Sequence, residues 1–310
     1  MTQARFVHIV DDVPELEGLA DGPVMLTALD GFLDAGSASA LAVGHLLEVD
    51  AGRVVASFEV DEFYDYRARR PAMSFVRDHY VDYDPPRLVV RLVHDERRAP
   101  YLLLTGPEPD VRWEAFTEAV RAVVEHFGVR LTVSIGSVPM AVPHTRPVQV
   151  TNHATAPRLL VSENIWQGEI RIPSSAQSLL ELRLGEWGHD ATGFVAHIPH
   201  YVAQFGYPEA AAAMLRQVAA VTGLHWELGR LDAAGAERQS EIDAQVADSE
   251  EVRAVVSGLE QQYDAFHRGD SGHGNLLGDP MPDARDLPTG DELGAQFEQF
   301  LAGLDPRDED

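Results

Sequence analysis

From residue 1 to about residue 225, the chain alternates between short apolar runs and amphipathic stretches. Short runs rich in Val and Leu are typical of buried strands. The predicted strands are 23–31, 53–60, 87–95, 100–106, 130–138 and 192–198. Near-continuous apolar strands that alternate with helices predict a three-layer α/β sheet, largely parallel.

Apolar residues at helical spacing predict the helices between these strands. The stretch 109–128 has the clearest apolar stripe, with Asp110 as the expected N-cap and Gly128 as the expected stop. Ser174 and Gln177 form a predicted capping box at the start of a later helix. Further helices are predicted at 35–49 and 208–223.

The segment 61–86 breaks this rhythm. Its aromatic residues and arginines have no helical period and lie between two predicted strands, so it is either a long loop or a hairpin arm. Excursions of this length are often functional or interfacial. Because aromatic side chains suit the core of a protein interface, we predict that the arm packs between subunits. The candidate interface residues are Phe63, Tyr64, Tyr66 and Phe75.

The strand pattern stops after about residue 226, and the chain becomes more acidic. We assign 1–228 to an α/β core domain and 229–310 to an acidic helical subdomain. Helices are predicted around 252–266 and 289–304, joined by a Gly-, Pro- and Asp-rich link at 268–288. Their apolar stripes are too continuous for a solvated arm, so we expect them to fold over the carboxyl edge of the sheet as a lid. The alternative is a separate helical module that never touches the core.

Composition excludes several kinds of chemistry. The chain has no cysteine, which rules out disulfides, thiolate nucleophiles and cysteine-based zinc sites. All 24 basic residues are arginine, which excludes Schiff-base lysines and a P-loop. Pro199 indicates a strand end between His197 and His200, so a shared metal site for these two histidines is not favoured. We therefore expect no cofactor and no metal site.

The net charge of −26 bears on the choice of partners. Nucleic-acid binding needs a basic face, and an anionic membrane surface repels a strongly acidic chain. The sequence also contains no run that resembles a signal peptide or a membrane span. We expect a cytoplasmic protein that binds neither nucleic acid nor membrane.

Candidate binding residues lie where α/β proteins place ligands, at strand ends that face helix N-termini. The stretch AVPHTRPVQVTNHAT at 141–155 follows a central predicted strand, and its prolines stiffen the backbone. Arg146 either binds a ligand carboxylate or pairs with one of the many acids of the chain. Ser134 and Ser137 stand near the same strand end, but no GxSxG elbow occurs. The candidate cleft residues are Asp34, Glu108, His144, Thr145, Arg146, His200 and Tyr201.

Several phrases occur along the chain in this order: GFLDAGSASA, YLLLTGPEPDVRWEAF, VPHTRPVQVTNHAT, AHIPHYVA and LEQQYDAF. Together they resemble the actinobacterial branch of the proteasome assembly chaperone 2 family over nearly the whole chain. The resemblance implies a core like the phosphorylase/hydrolase fold, with a helical C-terminal addition. It also implies a homo-oligomer, with a trimer as the expected state, and it implies no settled activity.

The function implied by this resemblance is that of a non-catalytic, chaperone-like protein that acts by protein contacts. Proteasome subunits or another protein are the expected partners. Relatives that dock by their tails end in a hydrophobic–Tyr–any motif, whereas this sequence ends in LDPRDED and departs from that pattern. The alternative function is that of an enzyme or small-ligand-binding protein that uses the strand-end cleft.

Overall fold

The described part of the chain, residues 2–161, 169 and 171–270 of a computed structural model, consists of strands that alternate with helices. The strands are β1 (Thr2–Ala4), β2 (Val7–Ile9), β3 (Val24–Asp30), β4 (Arg53–Phe58), β5 (Ser74–Val76), β6 (His79–Val81), β7 (Val89–His94), β8 (Pro100–Pro107), β9 (Leu131–Met140), β10 (Val150–Ala154) and β11 (Ala191–Pro199). The helices are α1 (Pro14–Glu17), α2 (Ala38–Val49), α3 (Trp113–Phe127), α4 (Ala176–Glu186), α5 (Pro208–Thr222), α6 (Gly229–Ala247) and α7 (Glu250–Asp270).

Nine of these strands form one mixed sheet in the order β1-β2-β4-β7-β8-β3-β9-β11-β10. β3 is parallel to β8 and β9, and β9 is parallel to β11. The other neighbours are antiparallel, so the prediction of a largely parallel sheet was wrong. For β7 and β8 the cause is the length of the connection. A parallel pair needs a crossover of about a dozen residues or more, whereas β7 and β8 are joined by the short turn at 95–99.

Helices cover both faces of this sheet, which confirms the three-layer α/β architecture. On one face α2 and α5 bury residues such as Leu46 and Leu215 against the strands. On the other face α3 and α4 bury residues such as Phe116 and Leu180. Full burial of one such side chain contributes about 1.5–3 kcal/mol to folding. α6 packs against α5 and adds Ile242 to the first of these two cores.

The ends of α3 show where local sequence rules hold and where they fail. Gly128 ends the helix in the left-handed region, at φ 61, as predicted. The N-cap is Arg112 and not Asp110, so that prediction was wrong. The carboxylate of Asp110 instead accepts a hydrogen bond of 2.7 Å from the amide of Asp65, in the segment that precedes β5.

The capping box at the start of α4 lies one residue later than predicted. The amide of Ser175 donates to Ser178 Oγ at 2.8 Å, and the amide of Ser178 donates to Ser175 Oγ at 3.0 Å. The predicted pair of Ser174 and Gln177 was therefore wrong. Gln177 is buried, and its Nε2 donates to the carbonyl of Ile135 at 2.9 Å, which ties α4 to the sheet.

The segment 61–86 contains a hairpin arm, one of the two forms that the sequence predicts. β5 and β6 pair antiparallel and form a separate two-stranded sheet. The side chains of these strands are largely exposed. The arm therefore projects an accessible surface from the core.

The C-terminal half of the acidic region lies outside the described residues, including the predicted helix at 289–304 and most of the link at 268–288. The described part of that region forms α6 and α7. Within the described ranges, no helix has both the length and the apolar character needed to cross a membrane.

Candidate functional site

The residues 143–147, here called the His-Thr-Arg segment, begin three residues after the end of β9, at the carboxyl edge of the sheet. His144 is buried, with 2% of its surface exposed. Its amide donates to the hydroxyl of Tyr201 at 2.8 Å, and its Nδ1 lies 2.6 Å from the same oxygen. Tyr201 follows β11, the neighbouring strand, and burial raises the pKa of its hydroxyl. Two candidate cleft residues from separate strand ends are therefore in direct contact.

Acidic residues of α6 and α7 bind the other polar groups of this segment. Asp243 Oδ1 lies 3.1 Å from His144 Nε2, and Thr145 Oγ1 donates to Glu260 Oε1 at 2.5 Å. Arg146 donates to Asp264 through Nε at 2.8 Å and through Nη2 at 2.7 Å.

Arg146 also approaches Glu260, with its Nη1 3.2 Å from Glu260 Oε1. Arg146 therefore contacts two carboxylates of α7. Hydrogen bonding to Asp264 raises the pKa of Arg146, which stays a cation. The sequence left two alternatives for Arg146, a ligand carboxylate or acids of the chain itself. In the structure Arg146 pairs with acids of the chain.

Contacts continue along α7 beyond this cluster. Tyr263 donates its hydroxyl to the carbonyl of Pro147 at 3.3 Å, and Gln149 Nε2 lies 2.8 Å from His267 Nε2. The rings of Tyr263 and His267 stack with centroids 4.0 Å apart. We call α6 and α7 the C-terminal helical pair. It lies against the His-Thr-Arg segment, so the alternative of a helical module that never touches the core was wrong.

Two other candidate cleft residues, Asp34 and Glu108, hold the backbone of neighbouring elements. Asp34 Oδ1 accepts a 2.7 Å hydrogen bond from the amide of Ser39 in the first turn of α2, and burial raises the pKa of this carboxyl. Glu108 accepts from the amide of Ala176 at 2.7 Å and from the amide of Phe32 at 3.1 Å. These contacts fix the loop after β3 and the start of α4.

The remaining candidate, His200, is half-buried beside Tyr201, with ring centroids 5.4 Å apart. Burial lowers the pKa of His200 and also that of His197. His197 is buried in β11, and its Nε2 lies 2.8 Å from Thr151 Oγ1 on β10. Both imidazoles are therefore favoured in their neutral form.

A sequence model of the PAC2 family matches residues 28–246, well over half of the chain. The chain belongs to the PAC2 family. This confirms the resemblance that the sequence phrases indicate. No curated protein matches this PAC2 chain.

Solved structures from actinobacteria are similar to this PAC2 protein. A Mycobacterium tuberculosis protein of unknown function is 45% identical, with a TM-score of 0.78 and coverage of 87% of this chain and 92% of that chain. A Corynebacterium glutamicum protein of unknown function is 35% identical, with a TM-score of 0.80 and coverage of 86% and 99%. A Mycobacterium tuberculosis proteasome-assembly chaperone homologue is 26% identical, with a TM-score of 0.70 and coverage of 75% and 99%.

The four aromatic interface candidates of this PAC2 protein do not share one environment. Phe63 is buried in the core with 1% exposure and packs edge-on against Phe116, so its assignment to a subunit interface was wrong. Tyr64 and Tyr66 are half-buried and contact each other, with centroids 5.0 Å apart. Phe75 is 60% exposed on the hairpin arm.

Sequence reasoning missed the acidic partners of the His-Thr-Arg segment. Asp243, Glu260 and Asp264 follow that segment by about a hundred residues, and no local pattern links them to it. The one available signal is the four-residue spacing of Glu260 and Asp264, which puts both on one helical face. Among 50 acidic residues, such pairs arise often by chance.

One group of potential metal ligands occurs among the described residues. Glu96, His225 and Glu227 bring one ligand atom each to within 4.8 Å of one another. The two glutamates are exposed, and exposed acidic groups of this kind are common without a metal. We therefore assign no metal site to this group.

Proposed function

We propose that this PAC2 protein is a chaperone-like protein of the cytoplasm that acts by binding other proteins, and that its C-terminal helical pair controls access to the His-Thr-Arg segment. The binding surface in this proposal is the carboxyl edge of the sheet around His144 and Arg146. The partners are proteasome subunits or proteins that assemble with them. Family membership and the likeness to a proteasome-assembly chaperone homologue support this class of function.

The observation that carries the proposal is the two-point ion pair between Arg146 and Asp264. Two-point pairs of this kind fix the relative orientation of the two side chains. Both side chains remain partly exposed, at 29% for Arg146 and 43% for Asp264. Partly exposed pairs contribute little net stability and are screened by salt. A partner that presents its own carboxylates can therefore displace the carboxylates of α7 and bind Arg146.

The hairpin arm supplies the surface for self-association in this proposal. Phe75 and Tyr80 lie in contact on it, with centroids 5.0 Å apart, and they are 60% and 72% exposed. Met73 and Val76 extend the exposed apolar surface on the same arm. Aromatic and Met side chains are enriched in interface cores, so we propose that the arm contacts another copy of the chain in a trimer.

Crosslinking in the native cytoplasm tests the function. Tagged full-length protein is compared with a variant that carries Asp243→Asn, Glu260→Gln and Asp264→Asn, which removes the carboxylates facing His144, Thr145 and Arg146. Crosslinked partners are quantified by mass spectrometry. We expect proteasome subunits or assembly factors to be enriched, and more so with the variant, because its helical pair no longer neutralises Arg146.

The matched control is Glu241→Gln. Glu241 also lies on α6, but it pairs with Arg238 and not with the His-Thr-Arg segment. The control should give the partner yield of the unmodified protein. If the unmodified protein and the triple variant both fail to enrich any proteasome-related protein, the proposed function is wrong.

A further inference from the structure

A serine and a histidine lie on either side of a glycine in the sheet, on the face that α4 covers. Ser134 of β9 is paired with Gly193 of β11, and Gly193 is paired with His153 of β10. A Cβ atom on Gly193 would lie 2.4 Å from Ser134 Oγ and 2.7 Å from His153 Nε2. A side chain at position 193 would therefore occupy the space between the two groups. Because Gly193 has no side chain, the hydroxyl of Ser134 and the imidazole of His153 border the same small space.

The imidazole of His153 is oriented by a carboxylate. Glu181 of α4 places Oε1 2.8 Å from His153 Nδ1, and only 15% of its side chain is exposed. A carboxylate accepts, so Nδ1 carries the proton and Nε2 is the basic nitrogen of the neutral ring. Nε2 is also the nitrogen that borders Ser134. Ser134, His153 and Glu181 therefore follow one another in the order of a nucleophile, a general base and an acid that orients the base.

Buried hydroxyls line a small cavity that Ser134 also borders. Thr27, next to Ser134 in the sheet register, and Thr132, also on β9, are 0% and 3% exposed. Their Oγ1 atoms have no hydrogen-bond partner among the described residues, and both border the small cavity that Ser134 and Glu181 also line. Buried polar groups are nearly always satisfied. These hydroxyls are therefore donors available to a polar group bound beside Ser134, such as a carbonyl oxygen.

We propose that Ser134, His153 and Glu181 form a hydrolytic site for esters with a small acyl group. The cavity beside Ser134 has room for about one water-sized group, so it can receive the carbonyl oxygen of the ester but not a long acyl chain. The alcohol part of the ester leaves on the side of His153, whose side chain is 38% exposed. The hydroxyls of Thr27 and Thr132 bind the carbonyl oxygen as it gains negative charge.

In the first step Ser134 Oγ bonds to the acyl carbon while His153 Nε2 takes the hydroxyl proton. The carbon–oxygen bond to the alcohol then breaks, and His153 returns the proton to the leaving oxygen. Water attacks the acyl-serine by the same route, releases the acid and restores Ser134. No hydrogen bond joins Ser134 to His153 in the described structure, and contacts of this kind often tighten only when substrate is bound.

The full-length protein is tested with 4-nitrophenyl acetate and with a fluorophosphonate probe, followed by mass spectrometry of the labelled peptide. The chain has neither lysine nor cysteine, so these side chains add no background acylation, whereas its 13 histidines can react with the ester. We expect a burst of 4-nitrophenol and a label on Ser134. Ser134→Ala should lose both, and His153→Gln should slow acylation by about 100-fold or more.

Ser137→Ala is the matched control. Ser137 is buried on the same strand, and its Oγ donates to the carbonyl of Ala35, away from His153. This variant should keep both the burst and the label. Melting temperatures of all variants show which of them are folded.

Two further variants separate chemistry from packing. Glu181→Gln should slow acylation, because an amide no longer fixes the proton on Nδ1 of His153 or the orientation of its ring. Gly193→Ala should abolish acylation while leaving all three polar groups in the chain. The proposal is overturned if Ser134 stays unlabelled, or if Ser134→Ala hydrolyses the ester as fast as the unmodified protein.

Discussion

Arg146 and Asp264 are 118 residues apart in the sequence and are joined by two hydrogen bonds of 2.8 and 2.7 Å. One residue lies just after a central strand, and the other lies near the end of α7. The pair therefore connects the edge of the sheet to the C-terminal helical pair. An exchange of the two charges tests whether this contact holds α7 in place.

Arg146→Asp and Asp264→Arg should each loosen α7, because each places like charges together at the contact. The double variant restores opposite charges and should hold α7 nearly as firmly as the unmodified protein does. The measurement is the rate of protease cleavage within α7 under native conditions. Equal cleavage rates in the unmodified protein and both single variants would show that the pair does not hold the helix.

The exposed aromatic pair on the hairpin arm tests the proposed trimer. Phe75→Ser with Tyr80→Ser should reduce the mass in light scattering from that of the oligomer to that of a single chain. The melting temperature of the chain itself should change little, because both side chains are largely exposed. An unchanged oligomer mass would remove the arm from the interface.

Phe63 belongs to the core and should behave differently from Phe75. Phe63→Ala leaves a cavity beside Phe116 and should lower the free energy of unfolding by about 3–5 kcal/mol. Phe75→Ala should change it by about 0.5 kcal/mol or less. Urea unfolding of the two variants measures this contrast, and similar losses in both would contradict the assignment of Phe63 to the core.

Buried histidines should make the fold sensitive to mild acid. Burial lowers the pKa of His197 below its usual value near 6.5, so the unfolded chain takes up a proton at a higher pH than the folded chain. The resulting stabilisation is present above about pH 6.5 and is lost as the pH falls from there toward the folded pKa. Burial raises the pKa of the Asp34 carboxyl. Its effect on stability is therefore opposite to that of His197, because the folded chain takes up this proton at a higher pH than the unfolded chain.

The test compares the urea midpoint at about pH 7.5 and about pH 5.5. The unmodified protein should lose stability over this interval, and His197→Gln should lose less. His79→Gln is the control, since His79 is 62% exposed. If His197→Gln and the control lose the same amount, His197 is not the group that titrates.

The sequence predicts features that depend on nearby residues. The apolar stripe of α3 and the stop at Gly128 are of this kind, because helical periodicity and left-handed glycines act within a few residues. The position of the His-Thr-Arg segment at a strand end follows from the apolar run before it. The break in rhythm at 61–86 likewise marks the hairpin arm.

Features that depend on distant residues were missed. The antiparallel pairing of β4 with β7 depends on how the sheet is completed, and the core position of Phe63 depends on the approach of Phe116. The partners of Arg146 come from a helix more than a hundred residues away. The placement of Ser134 and His153 on either side of Gly193 needs the register of three strands at once.

Carboxylates of the C-terminal helical pair bind the His-Thr-Arg segment and hold the pair against it. Hydrogen exchange tests this on the full chain, with Asp243→Asn, Glu260→Gln and Asp264→Asn combined and with Glu241→Gln as the control. We predict that the triple variant exchanges faster at 141–149 and along α7, while β9 and β11 keep their protection and the control matches the unmodified protein. Unchanged exchange at 141–149 in the triple variant would contradict the claim.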